Sequence, residues 1–412
     1  MNNDVSLVLD EPKIEDSIQS EFQFYYKDSL RLKGNKVYHV NFVQHYTAIK
    51  ITEKSYNQTT IHLNTESDSL YFGTLFLEGD IDIPPGFAVF RQPTNSINIK
   101  ANKNTELLIE LFYAPQIDVV SPKIKTKKDD CEKPETIAQS VWRAGLPDPI
   151  PGRNSVTVKH CIVHHSAGSN TDTNYINTVR NIYLLHTQSN GWDDIGYNFV
   201  IAPNGDVFSG RDPQGVADED NIQGAHFCGK NGETMGVCLL GNYNLISPKQ
   251  EMIDALESLL VWKLNKEKLS ALASYPHPTP TSPDLGTIAM HQNGCATECP
   301  GDSVRFIIDD IKEEVEDKLK LCNGFTSILN ENRSFKKVIY PNPSNGKFYA
   351  LIEKEAEITS YRILALDGKE VANGGYLETG YINVKLPTGT YILELWNENS
   401  PVIKHRISIQ SD

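Results

Sequence analysis

Two short stretches, far apart in the chain, constrain what it can fold into. One is Met290-His291-Gln292-Asn293-Gly294-Cys295-Ala296-Thr297-Glu298-Cys299-Pro300-Gly301, in which seven residues separate His291 from Cys299. An imidazole and a thiolate are a ligand pair suited to zinc. Two ligands do not complete a site. The best source of a third lies far upstream, in Ile162-Val163-His164-His165-Ser166-Ala167-Gly168. If both stretches serve one metal, everything between them is the scaffold that brings them together. The spacing alone is a weak signal, because a His and a Cys so placed are more often unrelated core or disulfide residues.

Patterning divides the 412 residues into a multidomain chain, with room for two to four domains. Residues 1–19 are acidic and poorly patterned and read as a flexible leader. Residues 20–116 carry short β-branched or aromatic runs, such as Val37-Tyr38-His39-Val40-Asn41-Phe42 and Leu107-Leu108-Ile109-Glu110-Leu111-Phe112. Turn residues such as Pro84-Pro85-Gly86 and Asn102-Lys103-Asn104 break them, which predicts an all-β sandwich. Its aromatics either fill the core or form a sugar-binding face. Residues 117–130 are a charged linker.

From 131 to 325 the pattern becomes mixed α/β. A strand is predicted over 156–165, with His160, Ile162 and His164 on one face and Cys161, Val163 and His165 on the other. A helix follows over 174–187, then strands at 197–201, 206–209 and 236–240, the first two joined by Pro203-Asn204-Gly205. Ser247-Pro248-Lys249-Gln250 reads as a helix start, with Ser247 as N-cap, Pro248 in the first turn and Gln250 closing a capping box. Its inward residues are Met252, Ile253, Leu256, Leu259, Leu260 and Leu264. Four prolines make 275–283 an irregular loop. Asp302 or Ser303 caps a last helix, after which 326–336 is a second linker. Residues 337–412 return to short strands and read as a small immunoglobulin-like β-sandwich.

The net charge of −14 argues against tight binding to nucleic acid. No apolar run is long enough to span a membrane as a helix. The start as written, Met1-Asn2-Asn3-Asp4, lacks the features of a secretory signal. Of seven cysteines, Cys299 is the candidate thiolate. Cys228 can pair with Cys295, Cys131 can pair with Cys322, and Cys161 and Cys238 can be buried thiols, but sequence does not fix the connectivity. A monomer is expected.

Residues 131–325 resemble the zinc-dependent N-acetylmuramoyl-L-alanine amidases of the type 2 group, which include the peptidoglycan recognition proteins. The resemblance is carried by Ile162-Val163-His164-His165-Ser166-Ala167, Gly191-Trp192-Asp193-Asp194-Ile195-Gly196-Tyr197-Asn198-Phe199, Gly210-Arg211, Gly224-Ala225-His226, Met235-Gly236-Val237-Cys238-Leu239-Leu240-Gly241 and Thr297-Glu298-Cys299-Pro300-Gly301. It implies a mixed central sheet flanked by helices, with zinc held by His164, His291 and Cys299 in a surface groove. It also implies a catalytic Tyr197, with Thr297 at the position the family fills with Lys or Thr. Gly191, Trp192 and Arg211 are the residues it associates with a preference for diaminopimelate in the stem peptide, and His186 and His226 are candidates to line the substrate groove. One departure is Gln292, where relatives often carry Arg.

Three protein ligands leave zinc an open position, which is the catalytic rather than the structural pattern. Water bound there ionises near pH ~7 and can attack the amide between the lactyl group and L-alanine. Tyr197 can hydrogen-bond the developing oxyanion. Thr297 is no strong base and is assigned to orienting water or intermediate.

Residues 337–412 resemble the type A C-terminal sorting domain of the type IX secretion system of Bacteroidetes, through Tyr340-Pro341-Asn342-Pro343-Ser344-Asn345-Gly346, Leu366-Asp367-Gly368-Lys369 and Leu386-Pro387-Thr388-Gly389-Thr390-Tyr391. This implies the type IX machinery as a partner, and secretion or surface display. Two other functions compete with an amidase: a non-catalytic peptidoglycan-binding protein, and an adhesin acting through its N-terminal β-domain. Inactive relatives usually lack the zinc cysteine, so Cys299 favours the enzyme.

Overall fold

A computed structural model describes residues 5–8, 24–54, 59–72, 86–117, 131–244, 246–281, 283–322, 337–340, 344–352, 358–365, 368–376, 380–397 and 401–410. The chain forms two compact units, Met1–Gly324 and Phe325–Asp412. The Pro84-Pro85 turn, the Leu366-Asp367 half of a turn and nearly all of both linkers lie outside the described residues.

The first unit opens with β1 (Val5–Val8), β2 (Tyr25–Leu32), β3 (Val37–Glu53), β4 (Ile61–Asn64), β5 (Ser69–Phe72), β6 (Phe87–Ala101) and β7 (Thr105–Phe112). They make one sheet in the order β2-β7-β3-β6-β4-β5, with β1 parallel to β3. The stretch expected as a structureless leader therefore supplies a strand. Two strands, β3 and β6, are long enough to serve both halves of the sheet, and their register shifts between Asn41 and Ala48. Such irregularities bend a strand and let one sheet fold over on itself. Alternate residues of both halves then share one core, including Val40, Phe42, Ile49, Ile51, Ile97, Ile99, Leu107 and Ile109. Tyr38, Phe42, Phe72 and Phe112 are buried, so these aromatics fill the core and do not form an exposed sugar-binding face.

The middle of the chain adds α1 (Gln139–Trp142), β8 (His160–His165), α2 (Tyr175–Leu184), β9 (Phe199–Ile201), β10 (Val207–Ser209), β11 (Thr234–Leu239), α3 (Gln250–Glu267), β12 (Ser274–Tyr275), β13 (Leu285–Gly286), β14 (Ile288–Met290) and α4 (Asp302–Cys322). The central sheet runs β10-β9-β11-β8-β14. Only the β9–β10 hairpin is antiparallel; β9, β11, β8 and β14 pair in parallel. All six residues of β8 are buried, as expected for an inner parallel strand covered on both faces. The strand is shorter than predicted, because at 156–159 the backbone turns aside: Val156 N–H donates to Asn221 O and Lys159 N–H to Glu233 O.

Helices α3 and α4 cover one face, where Val163, Met235 and Val237 pack against Leu256, Leu260, Val304, Ile308 and Val315. Helix α3 departs from its predicted start. Lys249 is the N-cap, no side chain caps the helix, and Pro248 precedes it. The Lys249 carbonyl accepts the N–H groups of Met252 and Ile253, so the buried apolar stripe fixes where the helix begins.

Helix α2 covers the other face. Asn174 caps it by accepting from Asn177 N–H, and a π-helical turn, Leu185–Ser189, continues it. Here the two β-rich regions merge. Ala48, Phe87, Phe112 and Ala114 share a core with Val179, Ile182, Tyr183 and Leu184. Thr47 Oγ1 lies 2.6 Å from Asn181 Oδ1, and Arg180 donates to Pro115 O at 2.7 Å. Lys50 pairs with the buried Glu110 at 3.0 Å, and both bond Ser189 Oγ at the end of the π turn. Disulfides Cys131–Cys322 and Cys228–Cys295 tie this unit, while Cys161 and Cys238 are buried thiols. Burial pushes the Cys161 thiol up to about 12.

The second unit comprises β15 (Lys337–Tyr340), β16 (Lys347–Ile352), β17 (Ser360–Ala365), β18 (Glu370–Gly375), β19 (Tyr381–Asn383), β20 (Gly389–Trp396) and β21 (Pro401–Ile409). Two antiparallel sheets, β15-β16-β19 and β18-β17-β20-β21, share a core that includes Phe348, Ile363, Leu393 and Ile407.

Candidate metal centre

Ligands gather at the carboxyl ends of parallel strands, the usual place for a site in such a sheet. The pairing of β14 with β8 sets Met290 opposite Val163, so the next residue, His291, emerges level with His164. Cys299 arrives on the following loop, which is held in place because Gln292 N–H donates to Cys299 O and Cys295 N–H to His291 O.

One ligand atom from each of His164, His291 and Cys299 lies within 4.8 Å of the others, and all three residues are buried. The sulfur of Cys299 is 3.8 Å from His164 Nδ1 and accepts the backbone N–H of His165 at 3.3 Å. Buried His291 Nε2 has no hydrogen-bond partner. Burial holds His291 down to about 4 and His164 well below the ordinary imidazole value, so both rings are neutral and have a lone pair to offer. Two neutral imidazoles, one of them with an orphaned buried nitrogen, and a thiol fit a divalent cation such as zinc.

The other residues of interest fall into distinct places. His165 points to the opposite face of β8, where its Nδ1 accepts Tyr243 N–H at 3.2 Å. Tyr197 is 1 % exposed and its ring centroid is 5.3 Å from that of His164. Thr297 Oγ1 accepts Cys299 N–H at 3.1 Å, which ties it to the ligand loop. Gly191 is exposed with φ +71°, a conformation that favours glycine, and an added Cβ would meet nothing within 4 Å.

His186 and His226 are both buried. His186 is fully buried, accepts Gly196 N–H at Nδ1 and lies tilted against Trp192 with centroids 4.6 Å apart. His226 is 1 % exposed, and its Nδ1 lies 3.0 Å from His164 Nε2. Arg211 is buried as well, paired with Asp193 and donating to Ile195 O, with its Nε unpartnered.

Sequence reasoning missed the hub behind this arrangement. Asp194 is fully buried and accepts from Gln139 Nε2, Ile195 N, Asp212 N and Arg153. Arg153, with a fully buried side chain, also pairs with Asp193. Together they fix the loop from Trp192 to Tyr197. Asp194 stands within a motif stretch, but nothing in the sequence points to Arg153 as its partner.

Two parts of the chain match known families. Residues 154–302 match the N-acetylmuramoyl-L-alanine amidase family, and residues 338–410 match the secretion system C-terminal sorting domain. Peptidoglycan-recognition protein SC1a/b of Drosophila simulans is 35% identical over 147 residues, which are 35% of this chain and 68% of the relative. Peptidoglycan-recognition protein SC2 of Drosophila melanogaster is 32% identical over 149 residues, 36% of this chain and 70% of the relative. Among solved structures, bumblebee PGRP-SA is similar at 26% identity and a TM-score of 0.35, over 44% of this chain and 96% of that one. The amidase LysC of Clostridium intestinale is similar at 22% identity and a TM-score of 0.34, over 44% of this chain and 98% of that one.

Proposed function

Because this chain belongs to the family of the N-acetylmuramoyl-L-alanine amidases and peptidoglycan recognition proteins, we propose that it is a working zinc amidase that cuts the lactyl–L-alanine bond of peptidoglycan. Its C-terminal sorting domain directs it to the surface or the medium by the type IX route. The observation that carries the enzymatic reading is the buried convergence of His164, His291 and Cys299. A receptor that only binds peptidoglycan has no need of such a donor set.

When bound, zinc supplies Lewis acidity toward the scissile carbonyl and a water of lowered pKa. The protein's own part is to hold and orient. His165 N–H bonds the Cys299 sulfur and favours its thiolate form. Tyr197, beside His164, is assigned to donate a hydrogen bond from its phenol to the oxyanion that forms on the substrate. Thr297 has its hydroxyl lone pair on Cys299 N–H and keeps its own proton to donate toward substrate.

The test uses the intact first unit, residues 1–324. Stoichiometric zinc, and muropeptide products carrying a free L-alanine amine in mass spectra of digested peptidoglycan, are expected. Zinc without cleavage would leave a receptor.

The stem-peptide reading centres on Arg211. Its guanidinium is no solvated loop charge, since it sits behind Asp193 beside the loop that bears Gly191 and Trp192. A carboxylate on the third stem residue would share that guanidinium with Asp193, whose side chain is one-third exposed. Since Asp193 already occupies one edge, we expect Arg211→Ala to remove about 1.5 kcal/mol of diaminopimelate preference, the low end for a charged hydrogen bond. The measurement is kcat/KM on muropeptides that differ only at residue three, and equal values for the wild-type protein would end this reading.

A further inference from the structure

We infer that His226 and Thr234 are positioning residues, forming with the Asn231 carbonyl a hydrogen-bond chain that fixes the tautomer of His164 so that its Nδ1 lone pair faces the metal position. The inference rests on the zinc reading above. The main-chain carbonyl of Asn231 can accept a hydrogen bond but not donate one. Thr234 Oγ1 lies 3.0 Å from it and therefore commits its single proton there.

That hydroxyl then has only lone pairs to offer His226 Nε2, 3.3 Å away, so Nε2 carries the ring proton. A neutral imidazole has one N–H, which leaves His226 Nδ1 as an acceptor. His164 Nε2, 3.0 Å from it, must be the donor. The second nitrogen of His164 is then unprotonated, and it is the one that lies 3.8 Å from the Cys299 sulfur. Run the other way, the chain would put a proton on His164 Nδ1, where a metal ligand needs a lone pair.

The surroundings hold His226 where the chain requires it. Asn231 Oδ1 accepts both His226 N–H and Phe227 N–H, at 2.8 and 2.9 Å. Gly224 and Gly236 make room for the ring: a Cβ on either would come within 2.4 or 2.5 Å of His226 Cδ2. Gly236 lies on β11 opposite Ile162, two residues before the one paired with His164, so strand register sets ring against ring. Neither His226 nor Thr234 is among the three converging ligands. They act through His164.

Two measurements on the 1–324 protein decide the matter. The first is the nitrogen NMR of the histidines in metal-free wild-type protein. His164 is expected to show a protonated Nε2 and an unprotonated Nδ1, and a protonated Nδ1 would overturn the inference. The second is zinc affinity by competition with a chromophoric chelator. Thr234→Val keeps the side-chain shape but removes the acceptor, and is expected to weaken zinc about 10–100-fold, the usual effect of losing an outer-shell partner. Thr234→Ser should restore wild-type affinity. Unchanged affinity in folded Thr234→Val would sink the chain as a positioning device. Wild-type protein that binds no zinc would instead overturn the function proposed above, while the tautomer spectrum would still decide this inference.

Discussion

Cys299 and His165 lie side by side, yet substitutions at the two should behave differently. Cys299 contributes its sulfur to the ligand cluster, so Cys299→Ser should lose most zinc and nearly all hydrolysis while binding to peptidoglycan can survive. His165 offers its ring to Tyr243 N–H on the far face of the strand. His165→Ala should keep stoichiometric zinc and lose ~1–3 kcal/mol of stability, the cost of an unsatisfied buried donor. Metal analysis of both variants checks the pair, and full zinc in Cys299→Ser would refute the ligand assignment. The histidines also give the metal-free protein a pH signature. Burial holds His165, His226 and His291 at about 4, 3 and 4, below the ordinary 6.5 of an unfolded chain. Between those values the unfolded state binds protons that the folded state refuses, so stability rises with pH. It is complete above about 6.5 and is lost as pH falls toward 4. Thermal melts of the metal-free protein should therefore be level above pH ~7 and drop by pH ~4.5; a level curve across that range would contradict neutral buried rings.

Helix α2 and its π turn are the element on which two parts of the chain depend. One side packs on the central sheet behind Tyr197; the other packs on the N-terminal sheet through Ala48, Phe87 and Phe112. Lys50, Glu110 and Ser189 add a partly buried polar cluster at the turn that carries His186. Burial alone would raise Glu110, but hydrogen bonds from Tyr25, Lys50 and Ser189 outweigh it and keep the carboxyl below its ordinary value. A fragment cut at 131–324 would expose this apolar face. It is expected to melt well below the 1–324 protein and to aggregate, as exposed core patches do. Equal melting temperatures would mean that the N-terminal sheet is only an appended module.

At the scale of the molecule, Met1–Gly324 and Phe325–Asp412 are separate compact units, each with its own core. Removing 337–412 should therefore leave the melting temperature and kcat/KM of the first unit unchanged. In a host with a type IX system, the same deletion should trap the protein in the periplasm, as fractionation would show. Lost catalysis in the purified truncated protein would make the C-terminal sheets part of the catalytic unit.

Most of the local elements, though not all of their ends, and a set of candidate ligands were legible in the sequence. Alternation along His160 to His165 put His164 and His165 on opposite faces, because a strand has a period of two whatever surrounds it. The family resemblance likewise pointed to His291, Cys299 and Tyr197, through motif stretches that are written in the sequence. The tertiary structure decided what depends on partners distant in sequence. The start of α3 followed the burial of Met252 and Ile253, not the hydroxyl of Ser247. His226, read as a groove residue, became the ring behind His164, because strand register and two glycines brought it there. Asp194 found Arg153, and the N-terminal sheet found α2, across gaps that no local pattern spans. Periodicity records which way a side chain faces; only the packed fold decides what it meets.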